Sequence, residues 1–340
     1  MPRLLVTYSD SHGRPMAEVR EIFDGFEIRE LEVPAGGIDV DVPEQLIEAL
    51  EGCEACLLRP GRFSREVFEA ADDLRVIALT GSGVDHIDLD AATDADVVVA
   101  NSPGGPGPSV VEHTFGVTFA LLRDVIENTR GVADGRWAEV RSPVTELRGK
   151  TLGVVGLGTI GLDVARIAAG SFGADVVGYD PYATGERSHP VFPRHDREAV
   201  EDVGVELVDR ARLFERADIV TIHTPLTEET RGLVGEPELA ALGEGYLVNT
   251  SRGGVVEEPA LHEALVEGAL AGAALDVFGN EPPAPDNPLL DAPNLILSPH
   301  VAGVSDRTQR RGLELAAESI RTVLDGGRPD TVANPAVYDG

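Results

Sequence analysis

The sequence predicts an α/β protein made of two doubly wound parallel-sheet domains. Three observations predict it. Short apolar, β-rich runs alternate with helix-length amphipathic stretches along the whole chain, the pattern of strand–helix–strand units whose strands lie parallel. A G-x-G-x-x-G turn stands between one such run and a helical segment near mid-chain. Finally, 340 residues, 42% of them hydrophobic, are enough for two cores at about 100–200 residues per domain.

The first series reads RLLVTY, FEIRELEV, ACLLR, RVIALTG and DVVVANS, five candidate strands. Between them, 43–51 puts Leu46, Ile47 and Leu50 on one helical face, and 64–71 does the same with Val67, Phe68 and Ala71. The Pro/Gly cluster from Asn101 to Ser109 reads as a hinge, followed by one long helix from Val110 to about Val132. GRWAEVRSPVTELRGK reads as loop. The second series, TLGVVG, ADVVGYD, ADIVTIH, GYLVNTS, AGAALDV and NLILSPH, predicts a six-strand doubly wound sheet. Between Asp180 and Ala217 the connection is polar, Pro-containing and longer than a strand-to-helix link needs. Residues 184–204 therefore read as a surface insertion, by default salt-adapted, with VELVD as an optional extra strand. A helix over Asp306–Leu324 and an extended tail ending NPAVYDG close the chain.

Acidic residues number 59 against 28 basic ones, a formal charge of −31. That field repels phosphate backbones and anionic headgroups, so no nucleic-acid or membrane partner is expected. Lys150 is the only lysine. A carboxylate-covered, lysine-poor surface suits concentrated salt, where a Debye length of about 3 Å at 1 M screens mutual repulsion. No apolar stretch approaches the roughly 20 residues of a membrane span, and the N-terminus turns polar too early for a secretory signal. A cytoplasmic protein is the expectation. Cys53 and Cys56 form a C-x-x-C with no second Cys or His pair at similar spacing, so they read as buried thiols, and no metal is expected.

The turn Gly156-Leu157-Gly158-Thr159-Ile160-Gly161 follows the strand TLGVV and precedes the helix LDVARIAAG. In that setting the first glycine makes the tight turn and the second lets backbone approach a pyrophosphate. The third allows helix and strand to pack closely, and the helix N-terminus then faces the phosphates. Nineteen residues beyond Gly161, the next strand ends in Asp180. A carboxylate there accepts from ribose hydroxyls and repels a 2′-phosphate, which predicts NAD(H) rather than NADP(H).

Ligands of open α/β sheets sit beyond the carboxyl ends of the strands. Three strands of the second series end in residues fit for chemistry on an anionic carbonyl compound: Arg252 in NTSRGG, Glu281 in DVFGNEPP and His300 in LILSPH. An arginine holds a carboxylate bidentately and polarises an adjacent keto oxygen. A histidine delivers a proton to that oxygen, and a carboxylate on its other nitrogen fixes its tautomer.

These residues lie within longer stretches: TGSGVDHID (80–88), NSPGGPGPSVVEHT (101–114), ELRGKTLGVVGLGTIG (146–161), HTPLTEETRGLV (223–234), LVNTSRGGVVEEPAL (247–261), AALDVFGNEPP (273–283) and SPHVAG (298–303). In them the chain resembles the D-isomer-specific 2-hydroxyacid dehydrogenases over nearly its whole length. The resemblance implies two Rossmann-like domains with the active site in the cleft between them. Residues 1–101 plus 300–340 would form a discontinuous substrate-binding domain and 102–299 the NAD-binding domain. It also implies Arg252 as substrate arginine, Glu281 as the histidine's partner and His300 as acid/base. Asp276 would hold the nicotinamide carboxamide, Thr224, Pro225 and Thr250 would line the cofactor, and Ser109 would neighbour its nicotinamide half. The amides of Ser82, Gly83 and Val84 would cradle the substrate carboxylate. Arg59 matches a position where relatives acting on phosphorylated or dicarboxylic substrates carry a basic residue; the other reading of Arg59 is an ion-paired or capping arginine. The implied substrate is a small 2-keto or 2-hydroxy acid such as glyoxylate, hydroxypyruvate or 3-phosphoglycerate, with formate disfavoured by Glu281. The implied assembly is a homodimer through the loop around Trp137. A NAD-sensing scaffold without turnover is the alternative reading.

Overall fold

The structure, a computed structural model, describes residues 1–9, 16–34, 40–102, 107–140, 143–183 and 197–339. In the first part β1 (Arg3–Tyr8), α1 (Met16–Ile22), β2 (Glu27–Glu32), α2 (Pro43–Leu50), β3 (Ala55–Leu58), α3 (Arg65–Ala70), β4 (Val76–Leu79), α4 (Leu89–Asp94) and β5 (Val98–Ala100) alternate. Their sheet is parallel, in the order β2-β1-β3-β4-β5. The central strands β3 and β4 are buried at every residue, as ACLL and VIAL require when helices cover both faces. β2, EIRELE, has no fully buried residue and takes the edge.

The second series runs α5 (Gly107–Leu122), α6 (Val125–Ala133), β6 (Thr151–Val155), α7 (Thr159–Ile167), β7 (Asp175–Tyr179), α8 (Arg197–Asp202), β8 (Val205–Leu207), α9 (Arg210–Arg216), β9 (Ile219–Ile222), α10 (Glu236–Leu242), β10 (Tyr246–Asn249), α11 (Glu258–Val266), β11 (Gly272–Leu275) and β12 (Leu295–Leu297). The strands form a second parallel sheet, β12-β11-β10-β9-β6-β7-β8. Its order reverses between β6 and β9, the switch point of a doubly wound sheet. The sole lysine stands at the other end of these strands: Lys150 Nζ lies 2.8 Å from Asp218 Oδ1, while Asp218 Oδ2 accepts from the Thr151 amide that starts β6.

α12 (Asp306–Leu324) returns to the first sheet. Ser305 and Thr308 cap it reciprocally, and its Leu313, Ala316, Ala317, Ile320 and Val323 pack with Leu4, Val6, Leu57 and Ala78. The chain accordingly divides into two compact units, Met1–Gly107 with Gly303–Gly340, and Pro108–Ala302. His300, with which the expected discontinuous domain begins, falls in the second unit. Its amide and those of Val301 and Ala302 all bond to Asp276, at the end of β11.

Three sequence expectations are corrected. The second sheet has seven strands, not six, because Val205–Leu207 pairs with β7 at the edge. The long helix from Val110 to Val132 is two helices, since Asp124 takes φ +50 and ends the hydrogen-bond ladder between α5 and α6. The tail is not wholly extended: Pro335–Tyr338 makes a 3₁₀ turn, pinned by Asn334, which exchanges side-chain bonds with Val99 N and Val97 O beside β5. Of the expected 184–204 insertion, residues 184–196 lie outside the described residues, and α8 occupies 197–202. Cys53 and Cys56 are free and buried, and burial pushes the Cys56 thiol well above its ordinary value. Among the described residues no helix is long and apolar enough to cross a membrane.

Candidate active site

At the switch point β6 runs into Gly156, whose φ of +90 favours glycine. A Cβ there would lie 2.7 Å from the His223 carbonyl oxygen, and one at Gly161 only 1.9 Å from the Gly156 oxygen. Gly158, which caps α7, differs: a Cβ on it would meet nothing within 4 Å. Gly156 and Gly161 therefore close the turn, and Gly158 leaves open space before the α7 N-terminus, with Thr159 and Ile160 in the first turn of that helix. Asp180, after β7, binds the turn directly. Its Oδ2 accepts from Leu157 N at 2.8 Å and its Oδ1 from Tyr182 N at 2.8 Å.

Thr224 and Pro225 follow β9 on the other side of the switch point. The Thr224 hydroxyl oxygen is buried with no hydrogen-bond partner among the described residues. Pro225 O accepts from Thr230 Oγ1. Beside them His223 bonds Thr221 Oγ1 at 2.8 Å, and burial lowers its pKa to about 3, so its ring is neutral. Thr250, after β10, shares a 3.0 Å bond with Thr114 on α5, and Ser109 lies in the first turn of that helix. The open space at Gly158 and the orphaned Thr224 hydroxyl fit a polar ligand with a phosphate group at the α7 N-terminus.

The strand ends β10, β11 and β12 carry the reactive groups. Asn249, fully buried, folds the turn after β10: its Oδ1 accepts from Ser251 N and Oγ, and its Nδ2 donates to Arg252 O at 2.9 Å. Arg252 Nη1 donates to Ser251 O. After β12, His300 sits at φ +54, in the left-handed region that non-glycine residues rarely adopt. Asp276 holds it there, taking His300 N on its backbone oxygen at 2.7 Å and Val301 N and Ala302 N on its two carboxylate oxygens. The ring reaches Glu281, with Nδ1 2.7 Å from Oε2, and Glu281 Oε1 accepts from Phe278 N. Since an ionised carboxylate only accepts, Nδ1 carries a proton, and Nε2 is the nitrogen left for proton exchange with a ligand.

Motif spacing does not single out His113, on α5, or Ser298. Ser298 Oγ donates to Asp276 Oδ1 at 2.6 Å and stands 3.1 Å from His113 Nε2. Its one proton goes to the carboxylate, so His113 must be the donor. Nothing in the local sequence could have found this network, because its members come from segments far apart in the chain.

In the first unit, Arg59 follows β3, is 9% exposed, and donates its backbone N–H to Thr7 Oγ1. Ser82, Gly83 and Val84 follow β4, where Asn101 Nδ2 donates to Ser82 O and Ser102 Oγ to Leu79 O. All four stand at strand carboxyl ends of their own sheet. Among the described residues no group of three or more His, Cys, Asp or Glu side chains could hold a metal ion.

A family model described as the D-isomer specific 2-hydroxyacid dehydrogenase, NAD binding domain, matches residues 115–302. The chain belongs to the D-isomer specific 2-hydroxyacid dehydrogenase family. It is 37% identical over 342 residues to a glyoxylate reductase of Korarchaeum cryptofilum, covering 99% of this chain and 97% of that one. It is 40% identical over 311 residues to a D-3-phosphoglycerate dehydrogenase of Methanocaldococcus jannaschii, covering 91% of this chain and 56% of that one. The chain thus spans little more than half the length of the phosphoglycerate dehydrogenases it matches. Among solved structures of the same fold, an NADPH-dependent glyoxylate/hydroxypyruvate reductase of Sinorhizobium meliloti, in complex with NADP and malonate, matches with a TM-score of 0.78. Its identity is 28%, over 98% of each chain.

Proposed function

We propose that this chain is an NAD(H)-dependent oxidoreductase acting on a small 2-keto or D-2-hydroxy acid such as glyoxylate, hydroxypyruvate or 3-phosphoglycerate. The observation that carries the reading is the His300–Glu281 pair, joined at 2.7 Å at strand ends of the unit that holds the glycine turn. Bound NADH supplies the hydride for C2 of the keto acid. Arg252 pairs with the substrate carboxylate and polarises the keto oxygen. His300, protonated, gives the Nε2 proton to that oxygen as negative charge develops on it, and Glu281, bonded to Nδ1, keeps the other ring proton in place so that Nε2 is the nitrogen that exchanges. In the reverse direction neutral His300 takes the hydroxyl proton.

Gly156, Gly158, Thr159, Ile160 and Gly161 would hold the pyrophosphate, Asp180 the adenosine ribose, and Thr224, Pro225, Thr250 and Ser109 the rest of the cofactor. Among the described residues Asp276 Oδ2 accepts from Ala302 N alone, which leaves it a lone pair for the carboxamide. We assign the amides of Ser82, Gly83 and Val84 to the substrate carboxylate and Arg59 to a distal anionic group.

Replacing His300 by Ala should lower kcat with glyoxylate or hydroxypyruvate by about 10²–10⁴-fold, while NADH fluorescence titration still shows binding. Turnover near wild type would end the assignment. The proposed assembly is a homodimer in the cytoplasm. Val125, Ile126 and Val132 of α6 and Trp137, four residues beyond that helix, are exposed, Trp137 at 67%, and exposed apolar side chains this close along the chain favour a covered surface. Light scattering in high salt should give a dimer that Trp137→Glu weakens; a wild-type monomer would refute it.

A further inference from the structure

Glu258, in the first turn of α11, has no part in the chemistry above. Its carboxylate nevertheless reaches the segment that carries Glu281. Oε1 accepts from Gly279 N at 2.6 Å, and Oε2 accepts from Asn287 Nδ2 at 2.9 Å. Asn287 in turn caps the short turn over 288–291, bonding Leu289 N at 3.0 Å, and the Leu289 side chain is fully buried. One carboxylate thus ties both ends of the 279–287 excursion, between β11 and β12, to α11.

The other face of the excursion is equally confined. A Cβ built on Gly253 would fall 1.9 Å from the Phe278 carbonyl carbon and 2.4 Å from Gly279 N. The Phe278–Gly279 peptide therefore lies directly on the backbone beside Arg252. Phe278 N then bonds Glu281 Oε1, and Glu281 Oε2 meets His300 Nδ1. Each link is a hydrogen bond or a backbone contact with no slack, so a shift of the 278–279 peptide moves the Glu281 carboxylate with it.

We infer that Glu258 is a positioning residue for the Glu281–His300 pair: its carboxylate clamps Gly279 N and Asn287 and so fixes the turn from which Glu281 reaches His300. The inference rests on the acid–base role proposed for His300. A carboxylate in a first helical turn could otherwise serve α11 alone, through the helix dipole, and would then affect stability but not turnover.

The test uses the full chain with glyoxylate, comparing E258A, E258Q, E281Q, E258A/E281Q and H300A. E258A should lose kcat by about 10- to 100-fold, the scale of a misplacement near 1 Å, with the Kd for NADH unchanged. E258Q, which keeps an acceptor for Gly279 N, should recover most of it. In the E281Q background the further loss from E258A should largely vanish, since the effect runs through Glu281. Wild-type kcat in E258A, or the full loss repeated on top of E281Q, would overturn the clamp. If E258A does not fold, E258D shortens the reach while keeping the charge, and a wild-type kcat there is equally fatal. Independently of turnover, the His300 Nδ1–H proton resonance should move in E258A and not in the control E263A on the exposed face of α11; no movement overturns the clamp. Active H300A would instead remove the acid–base reading, so the two failures are distinguishable.

Discussion

His300 holds its ring on a backbone at φ +54, a conformation that costs a non-glycine residue of order 1–3 kcal/mol. It persists because Asp276 takes three successive backbone N–H groups, at His300, Val301 and Ala302. The strain therefore aims the imidazole at Glu281, and the loop has little freedom to turn it away. His223 shows burial acting on a second imidazole. Its pKa is lowered to about 3, so the folded state keeps it neutral where the unfolded chain, near 6.5, takes up a proton. Folded protein binds fewer protons between those values, so this contribution is fully present above about 6.5 and is lost as pH falls towards 3, by at most about 1.4 kcal/mol per pH unit. Urea midpoints measured from pH 7 to pH 4 should fall less steeply for His223→Gln than for wild type; parallel curves would show that the ring carries no such linkage. The placement of Arg252, Glu281 and His300 after strands β10, β11 and β12 was legible in the sequence, because apolar runs end just before them. The hydrogen bonds around them were not: those of Asn249, of Glu258, and of His113 with Ser298 are defined by where separate segments meet, which no local pattern encodes.

At the scale of elements, the strands most readable in the sequence were those buried on both faces, such as β3 and β4, whose unbroken apolar runs suit the inside of a parallel sheet covered by helices. The edge strand β8 and the break before α6 were less so. VEL is three residues long with a glutamate at its centre, and only pairing with β7 makes it a strand. Asp124 looks like any polar helix residue until its φ of +50 is seen. The glycine turn was legible as a motif, and the structure separates the duties of its glycines. Gly161→Ala drives a methyl to 1.9 Å from the Gly156 oxygen, whereas Gly158→Ala meets nothing within 4 Å. Gly161→Ala should thus destabilise the second unit by about 1–3 kcal/mol, the cost of overpacking. Gly158→Ala should leave the thermal midpoint unchanged and weaken NADH binding, because its methyl fills space kept for the ligand. Calorimetry and fluorescence titration of the two variants check this, and equal loss of stability in both would refute the division.

The whole molecule carries 59 acidic and 28 basic residues, so more than half of its carboxylates have no cation to pair with one to one. Surface pairs do exist, including the two-pronged Arg216–Glu206 contact at 2.7 Å and Arg310 between Glu21 and Glu314. Each is exposed, however, and pairs of that kind contribute little, roughly 0–1 kcal/mol. The unpaired excess therefore dominates: at low salt it repels itself and also every anion that approaches. Both proposed ligands are anions. In the reading proposed here, Arg252 and the amide-rich turn at 156–161 then act as a positive island in a negative field, and salt decides how far out that island is felt. At about 3 M salt the field is screened within a few ångströms, whereas at about 0.1 M it extends roughly 10 Å. Lowering salt across that range should raise the KM for the keto acid while circular dichroism still reports native structure, and should lower the thermal midpoint further down the series. kcat should change less, because the roles proposed for His300, Glu281 and Arg252 are played at contact distance, where screening has least effect. A KM that stays constant until unfolding begins would break the link between surface charge and substrate capture.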